Sequence, residues 1–451
     1  MESGPSSAIA PLSRGMVRRI VFSSSIGNAP EWFDFLVYGY FAPAIAKQFF
    51  PVHDEWLSTL LAVGTFGISF LMRPLGAIVL GMYGDRKGRK AALTLAIALM
   101  MAGTLAMAVM PPYASIGIAA PLLILLARLV QGFAVGGEFG SATAFMVEHS
   151  PAKRGYYASW QFASQGAAAI LAAAFGSLLA GWLPPEQLQS WGWRVPFFFG
   201  LVLGPVGWYI RSHLDETPEF LANQQAHAES AAPEDSPRLA RQWVSLLLAV
   251  GIVAQSTVGV YILQLYMSMY AVKQLHMAAA TSFGVVVLNG GLQFLLSPVM
   301  GALSDRIGRL RIMLTTSILM ASLTYPMFAL LQRHPTLGWL LVLQGAAGIF
   351  KAAYSGPMPA LMSEIFPVRV RSAGLSIAYS LGVTLFGGFA PTIAELLIHT
   401  TGDTLAPAYY VSLAATISGV SLAIVGWRML RSHRHSKIAF EPLKQGVKRV
   451  Q

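Results

Sequence analysis

Six ionisable side chains lie inside long apolar segments of the sequence, where they are best placed to do chemistry. Three are acids and three are bases: Glu31, Asp34, Glu138, Arg73, Arg128 and Lys351. Each would cost about 2.5–3.5 kcal/mol if it faced lipid. Together they would cost on the order of 18 kcal/mol, more than the roughly 5–15 kcal/mol that stabilises a typical protein. We therefore expect them to face protein or a wet cavity and to pair across helices.

The two acids of the first segment have a spacing suited to proton transfer. Glu31 and Asp34 are three residues apart on one helical face, and Tyr38 lies one turn beyond Asp34. Two carboxylates close together in low dielectric do not both stay charged, so one can hold a proton near neutral pH and release it when the site opens to the other side. This predicts proton carriage by at least one of them. The alternative is a permanent ion pair with Arg128 or Arg73.

The fourth segment carries a second polar face. Arg128 and Gln131 are one turn apart, and Glu138 follows two turns beyond Gln131. Four glycines between positions 132 and 140 let neighbouring helices approach closely, so Glu138 fits a structural hydrogen-bonded carboxylate as well as a proton-coupling one. For Arg128 a purely structural bridge is likewise an alternative to a functional role.

The buried bases predict the charge of the substrate. Arg73, Arg128 and Lys351 come from both halves of the chain, and a multiply charged anion would offset their burial where a neutral sugar or a lone ammonium would not. Carboxylates prefer bidentate guanidinium contacts, with lysine as a point charge. We therefore favour a di- or tricarboxylate. For Lys351 the alternative is a side chain that snorkels to the membrane surface or pairs with Glu395.

Further polar side chains in the segments complete the predicted cavity. They are Gln161, Gln165, Gln255, Gln264, Asn289, Gln293, Tyr354, Tyr379 and Ser380. Those we expect to contact substrate, besides the three bases, are Tyr38, Gln131, Gln161, Gln165, Tyr354, Tyr379 and Ser380. A single polar residue of this kind more often forms a hydrogen bond between packed helices than it contacts a ligand.

Composition defines the elements that must position these residues. The chain has 451 residues, of which 55% are hydrophobic and 11% charged, against roughly 25% charged in a soluble domain. Helical crossings of about 20 residues each leave room for about twelve. This excludes a soluble enzyme and a single-span receptor. There is no cysteine, hence no disulfide or thiolate metal site, and no phosphate-binding loop, HExxH or GxSxG motif, so we expect neither an enzyme nor a cofactor.

Twelve apolar segments follow one another along the chain, and we expect all to be helices because a helix satisfies its own backbone in lipid. They lie near residues 20–46, 57–82, 91–110, 119–147, 156–182, 195–211, 243–271, 280–303, 311–331, 337–362, 373–398 and 406–429. The first is too long for a signal-peptide core and carries two acids, so we expect it to be an uncleaved span.

Basic residues predict the orientation. With both termini inside, four of the 31 Lys and Arg fall in outer loops (Lys47, Arg194, Lys273 and Arg333) and three within spans, so that 24 are cytoplasmic. This placement accounts for the net charge of +11 without nucleic acid. The polar stretch at 212–242 reads as a cytoplasmic linker between an N-terminal six-helix bundle (1–211) and a C-terminal one (243–430), with a basic cytoplasmic tail at 431–451.

The two halves repeat each other. "GMYGDRKGRK" begins at Gly81 and "GALSDRIGRL" at Gly301, an offset of 220 residues, and Glu148 and Glu364 end the fourth and tenth segments with an offset of 216. Two like halves in one orientation form a parallel repeat, with the substrate site at the midplane between them. Adding 220 to position 131 gives 351, so Lys351 is the second-half counterpart of Gln131.

The repeated loops carry matched glycines, aspartates and arginines, from which we predict a cytoplasmic gate. Its residues are Gly81, Asp85, Arg86, Arg89, Gly301, Asp305, Arg306 and Arg309. At helix ends these charges can form ion pairs and helix-dipole contacts that exist in only one state of a rocking carrier. The alternative, positive charge that merely sets topology, does not explain the matched Gly and Asp.

These motifs resemble those of the major facilitator superfamily. The two decapeptides resemble its signature loop, and "RLVQG", which begins at Arg128, resembles its fourth-helix motif. Further segments resemble the metabolite:proton symporter family: "EWFDF", "FLMRPLGA", "GGEFG", "SWGWRVPF", "DETPEF", "SEIFPVRVRSAG" and "FGGFAP". The resemblance runs from the first helix to the last, and "LFGGFAPTIAELLIHTTGD" is most similar to citrate and tricarballylate members. It implies twelve transmembrane helices in two pseudo-symmetric six-helix bundles, a role for Arg128 in proton coupling, and a gate at the repeated loops.

The expectation is an all-α inner-membrane carrier, with both termini cytoplasmic, that takes up a small organic anion with protons by alternating access. The alternatives are a same-family symporter for α-ketoglutarate, shikimate or a zwitterionic osmolyte, in which the bases only neutralise the acids, and a non-transporting sensor on a carrier fold. The expected partners are the substrate and the lipid bilayer, without nucleic acid or an obligate protein partner. Protons are the expected coupling ion, and the sequence leaves sodium open.

Overall fold

The computed structural model describes residues 28–87, 89–136, 138–148, 153–212, 242–367 and 370–447. The start of the first predicted segment and nearly all of the predicted linker lie outside this part of the chain. The described residues are almost entirely helical and contain no strand. We call the membrane face that carries the repeated loops the motif side, and the opposite face the far side.

The N-terminal half forms six membrane helices, three of which are interrupted. They are α1 (28–40 and Ala42–Phe49), α2 (Glu55–Ser69 and Met72–Lys87), α3 (Arg89–Val109), α4 (Ala119–Val135 and Glu138–Glu148), α5 (Arg154–Trp182) and α6 (Val195–Ser212). Asp54 begins α2 by accepting hydrogen bonds from the backbone N–H groups of Trp56 and Leu57, which satisfies donors that a helix start leaves without partners.

The C-terminal half forms six more. They are α7 (Trp243–Lys273), α8 (Ala279–Ile307), α9 (Arg309–Arg333), α10 (Leu337–Ser355 and Met358–Ile365), α11 (Arg371–Gly382, Val383–Gly388 and Ala390–Thr401) and α12 (Ala406–Val447). Each coincides with a predicted apolar segment. Within the described residues, eight helices are long and apolar enough to cross a membrane by themselves, and α3 and α4 contain shorter apolar helices. Helix α12 runs through position 430 without a break, so the predicted basic tail begins as helix.

Small residues bring the two bundles together along α5 and α8. These helices are antiparallel: Gly155 meets Gly301, Gly166 meets Gly290, and the Ser177 hydroxyl donates to Ala280 O. A Cβ on Gly155 or Gly301 would overlap the carbonyl oxygen of the other. The contact points recur every ten or eleven residues, about three turns, which keeps one face of α5 against one face of α8.

Interrupted helices expose backbone groups at the boundary between the bundles. Pro74 has no N–H to donate to Phe70 O near the break in α2, and the Thr384 hydroxyl of α11 donates to this oxygen at 2.7 Å. At the break in α4, the Ser380 hydroxyl of α11 donates to Gly136 O at 3.3 Å. Irregular backbone is tolerated at membrane depth where protein buries it, and π-helical turns and breaks often mark functional sites. Both α7 and α11 contain π-helical turns there.

Candidate substrate and proton site

An ion pair with two polar neighbours lies inside the N-terminal bundle. Arg128 Nη1 of α4 is 3.4 Å from Asp34 Oδ2 of α1, and the arginine is fully buried. Gln131 Nε2 donates to the same Asp34 oxygen at 2.8 Å, and the Thr104 hydroxyl of α3 donates to Asp34 Oδ1 at 2.9 Å. The structure thus joins Asp34, Arg128 and Gln131, with the Asp34–Arg128 ion pair that the sequence analysis gave as the alternative to proton carriage. It adds Thr104, for which the sequence carried no signal beyond a hydroxyl in an apolar helix.

Aromatic rings hold the arginine of this pair. The Arg128 guanidinium carbon lies 4.5 Å from the Tyr38 ring centroid and 4.6 Å from that of Phe35, a favourable arrangement for a desolvated cation. The Tyr38 hydroxyl donates to Ala62 O at 3.0 Å. Arg128 Nε and Nη2 have no hydrogen-bond partner among the described residues, so this cation keeps donors to offer.

A second ion pair lies at the bundle boundary. Arg73 Nη2 of α2 is 3.7 Å from Glu31 Oε1 of α1, and both side chains are buried. Arg73 follows the break in α2, with its guanidinium carbon 4.5 Å from the Phe70 ring centroid. The Phe70 ring lies in turn against the Tyr261 ring of the C-terminal bundle, with centroids 5.4 Å apart. Arg73 Nε and Nη2 make no hydrogen bond among the described residues.

Lys351 is the buried base that differs from the others. Its side chain on α10 is 5% exposed, and Nζ donates to Gln264 Oε1 of α7. No carboxylate of the described residues lies within 4.0 Å of it. Both alternative readings of Lys351 are wrong: burial excludes snorkelling to the surface, and Glu395 lies instead 3.7 Å from Lys273 Nζ.

A hydrogen-bonded chain leads from Lys351 to the other bundle. Gln264 Nε2 donates to Gln293 Oε1 at 3.4 Å, and Gln293 Nε2 of α8 donates to Phe162 O of α5 at 2.8 Å. An ammonium only donates and a carbonyl only accepts, so the two ends determine the orientation of both amides. The Tyr40 hydroxyl of α1 also donates to Gln264 O, at 3.2 Å. The Lys351 site therefore borders the N-terminal bundle.

The remaining predicted contacts divide into two groups. Gln161 and Tyr354 make hydrogen bonds within their own bundles: the Thr143 hydroxyl donates to Gln161 Oε1 at 2.7 Å, and the Tyr354 hydroxyl donates to Ile252 O at 2.8 Å. Tyr379 and Ser380 lie at the boundary, where the Tyr379 ring stacks on Phe139 of α4 at 3.6 Å.

Three further residues predicted for the cavity are also buried, two in the C-terminal bundle and one in the N-terminal bundle. Gln255 accepts a hydrogen bond from the Ser317 hydroxyl at 2.6 Å, and Asn289 Nδ2 donates to Gln344 Oε1 at 2.8 Å. Gln165 of α5 is the residue of the N-terminal bundle.

The side chain of Glu138 lies outside the described part of the chain. Tyr261, whose buried hydroxyl has no hydrogen-bond partner among the described residues, is a boundary residue that the sequence reasoning missed, because one tyrosine in an apolar helix is unremarkable.

Asp305 joins the bundles on the motif side in what we call the motif latch (Gly155, Tyr156, Asp305, Arg309 and Glu364). Its carboxylate accepts from Gly155 N at 2.9 Å and Tyr156 N at 3.1 Å, at the start of α5. Arg309 Nη2 lies 2.8 Å from Asp305 Oδ1, and Arg309 also pairs with Glu364. An acid at a helix start is favourable because the helix dipole is positive there.

The other predicted gate residues are placed differently. Gly301 lies at the contact with Gly155, whereas a Cβ on Gly81 would meet no atom within 4 Å. Arg306 is exposed and makes no ion pair with the described carboxylates. The side chains of Asp85, Arg86 and Arg89 lie outside the described part. The two repeats therefore match in sequence but not in their packing at the glycine.

Two contacts that the sequence analysis did not predict join the bundles on the far side. Lys273 Nζ, at the end of α7, donates to the Thr59 hydroxyl of α2 at 3.1 Å. Trp56 of α2 stacks on His399 of α11 with ring centroids 3.8 Å apart. We call these four residues the far latch. The described residues thus make contacts between the bundles on both sides of the membrane.

Two family models match the chain. Residues 20–234 match a model of sugar (and other) transporters, and residues 256–450 match a model of the major facilitator superfamily. The chain is 38% identical to a citrate-proton symporter of Klebsiella pneumoniae over 86% of this chain and 87% of that one. It is 35% identical to a proline/betaine transporter of Salmonella typhimurium (92% and 85%) and 34% identical to an alpha-ketoglutarate permease of Escherichia coli (89% and 92%).

A solved structure shares the architecture. The proton:xylose symporter XylE bound to 6-bromo-6-deoxy-D-glucose superposes with a TM-score of 0.73 at 15% identity, over 93% of this chain and 96% of that one. Two six-helix bundles around buried ion pairs, together with transporters as relatives, define a membrane carrier and not an enzyme. The chain belongs to the major facilitator superfamily, which confirms the fold and family predicted from its motifs.

Proposed function

We propose that this carrier takes up a di- or tricarboxylate, such as citrate or tricarballylate, together with protons by alternating access. The observation that carries the proposal is Lys351, a buried ammonium paired with a neutral amide where Arg73 and Arg128 are each paired with an acid. A buried cation without a counter-charge is costly. A bound carboxylate would supply that charge, and citrate-proton symporters are among the similar proteins.

The substrate would bind between the bundles. Lys351 offers a point charge from the C-terminal bundle. Arg73 offers donors from the N-terminal bundle, since its Nε and Nη2 atoms make no hydrogen bond among the described residues. Carboxylates of one small molecule that contacted both would hold the bundles together, which is the step that couples binding to rocking in a carrier.

Asp34 is the proposed proton carrier. Arg128 and the two polar neighbours stabilise its carboxylate, and protonation would weaken the ion pair that joins α1 to α4. Opening to one side would then permit proton loss and restore the pair. Glu31 can act in the same way with Arg73, so one or two protons can accompany the substrate. Protons are the proposed coupling ion without any other cofactor, in the cell inner membrane with both termini cytoplasmic.

Uptake by purified protein in liposomes tests the proposal. With an imposed inward proton gradient, radiolabelled citrate or tricarballylate should accumulate above α-ketoglutarate, shikimate and betaine. Sodium should not replace the proton gradient.

Lys351→Ala should reduce carboxylate uptake at least tenfold, since a hydrogen bond to a charged group contributes about 1.5–3 kcal/mol. Its abundance in the membrane should be normal, because removal leaves only an amide without a partner. Lys47→Ala is the matched control, since Lys47 is half exposed and pairs with an exposed acid. Unchanged carboxylate uptake by Lys351→Ala would reject Lys351 as a ligand.

A zwitterionic osmolyte is the second candidate, because proline/betaine transporters are also similar to this chain. In that case betaine uptake would exceed citrate uptake in the same liposomes. A sensor would accumulate no solute at all.

A further inference from the structure

A groove crosses the outer surface of the seam between the bundles on the motif side. It has a volume of about 550 Å³ and lies between α5 and α8. Tyr156 and Trp160 line it from α5, and Phe294, Ala302 and Arg306 line it from α8. We call it the seam groove. The Gly155–Gly301 contact lies beside it, so its walls belong to both bundles.

The length of the seam groove matches one leaflet of a bilayer. Phe294 and Arg306 are twelve residues apart on α8, which corresponds to about 18 Å at 1.5 Å per residue. Half of a hydrocarbon core about 30 Å thick is close to this length. The lining is aromatic and aliphatic, with the Trp160 and Phe294 ring centroids 6.4 Å apart, and Arg306 lies in the last turn of α8, at the motif-side end.

The charge at the polar end has no counter-charge within the described residues. Asp305 binds the start of α5 and Arg309, and Glu364 also binds Arg309. Arg306 is exposed and pairs with neither of these acids. Its guanidinium remains available to a phosphate, which it can bind in bidentate fashion.

We propose that the seam groove binds one anionic phospholipid of the motif-side leaflet, with its phosphate on Arg306 and an acyl chain along Trp160 and Phe294. The occupant contacts both bundles next to the motif latch. It therefore favours the state in which α5 and α8 are packed together, because rocking apart on this side removes one wall of the groove.

Lipid retention by the full chain tests the site. The protein is incorporated into nanodiscs of equal phosphatidylcholine and phosphatidylglycerol, released, and weighed intact by native mass spectrometry. We expect one retained phosphatidylglycerol, preferred over phosphatidylcholine about fivefold, the effect of one basic residue at an anionic surface. In parallel, amide hydrogen exchange at residues 154–157 should be slower with phosphatidylglycerol than with phosphatidylcholine alone.

Three variants make the outcome decisive. Arg306→Gln should lose the preference for phosphatidylglycerol, and Ala302→Phe, which fills the groove and keeps the arginine, should lose the retained lipid altogether. Arg311→Gln is the control, since Arg311 is exposed near the start of α9 and does not line the groove. Equal retention by Arg306→Gln and Arg311→Gln, retention by Ala302→Phe, or equal retention of both lipids by the unmodified chain would overturn the proposal.

Discussion

The buried bases of this carrier differ in what their removal would leave behind. Loss of Arg128 would leave Asp34 as a buried carboxylate without its cation, whereas loss of Lys351 would leave only the Gln264 amide. Breaking a buried pair costs about 3–5 kcal/mol, and an unsatisfied neutral group about 1–3 kcal/mol. Lys351 is therefore the base whose role in binding can be tested with the least risk to folding.

Asp34→Asn should separate transport from proton coupling. Asparagine keeps the shape: its one carbonyl oxygen can still accept from Gln131 Nε2, and its NH2 group can donate to the Thr104 hydroxyl. It cannot gain or lose a proton. We expect loss of accumulation driven by a proton gradient, while exchange of external for internal substrate, which moves no net proton, continues. Both rates are measured in the same proteoliposomes.

The control for this prediction is Asp54→Asn at the start of α2. Asparagine caps a helix about as well as aspartate, so this variant should accumulate substrate normally. Full gradient-driven accumulation by Asp34→Asn would remove Asp34 from the proton pathway.

At the scale of elements, helix α11 completes the hydrogen bonding of two broken helices in the other bundle. Its Thr384 and Ser380 hydroxyls donate to Phe70 O of α2 and Gly136 O of α4. These bonds exist only while α11 lies against the breaks. They stabilise the packed state of the bundles without any charge.

Thr384→Val removes the donor and nearly keeps the side-chain shape. A neutral hydrogen bond contributes about 1 kcal/mol, so the population with α11 against α2 should fall about fivefold relative to states in which they have separated. Distances between spin labels on the motif side of the two bundles measure this shift.

Thr400→Val is the matched control, because the Thr400 hydroxyl donates only within α11, to Leu396 O and Leu397 O. It should leave the distance distribution unchanged. Identical distributions for both variants would show that the Thr384 bond does not hold the bundles together.

At the scale of the whole molecule, contacts between the bundles lie on both sides of the membrane at once. The motif latch and the far latch cannot both persist in a carrier that alternates. A chain without cysteine allows this to be tested with an introduced pair.

Gly181→Cys with Ala280→Cys should form a disulfide on the far side. A Cβ on Gly181 would lie 3.8 Å from that of Ala280, within the roughly 3.5–4.5 Å that a disulfide requires. We expect oxidation to stop uptake and reduction to restore it, as measured by flux in proteoliposomes. The two single variants should be insensitive to oxidant. Full uptake by the crosslinked double variant would show that α5 and α8 need not separate on the far side.

The sequence alone was sufficient for the twelve helices, the two repeated halves and the burial of five charges inside apolar segments: Glu31, Asp34, Arg73, Arg128 and Lys351. These follow from costs that depend on residue type and position: an apolar segment of about 20 residues spans a bilayer, and a charge within it must find a partner. The Asp34–Arg128 contact could be expected for the same reason, since the spans of the first half contain only two bases that could pair with Asp34.

Only the tertiary structure decided which partner each charge has. Lys273, which was predicted to lie in an outer loop, pairs with Glu395. Lys351 donates to the Gln264 side-chain amide, the first link in the hydrogen-bonded chain that continues through Gln293. The Thr384 and Ser380 hydroxyls of α11 donate to carbonyls that lie at the breaks in α2 and α4. Such contacts join residues up to 314 positions apart, and their geometry depends on helix packing, which no local pattern of residues encodes.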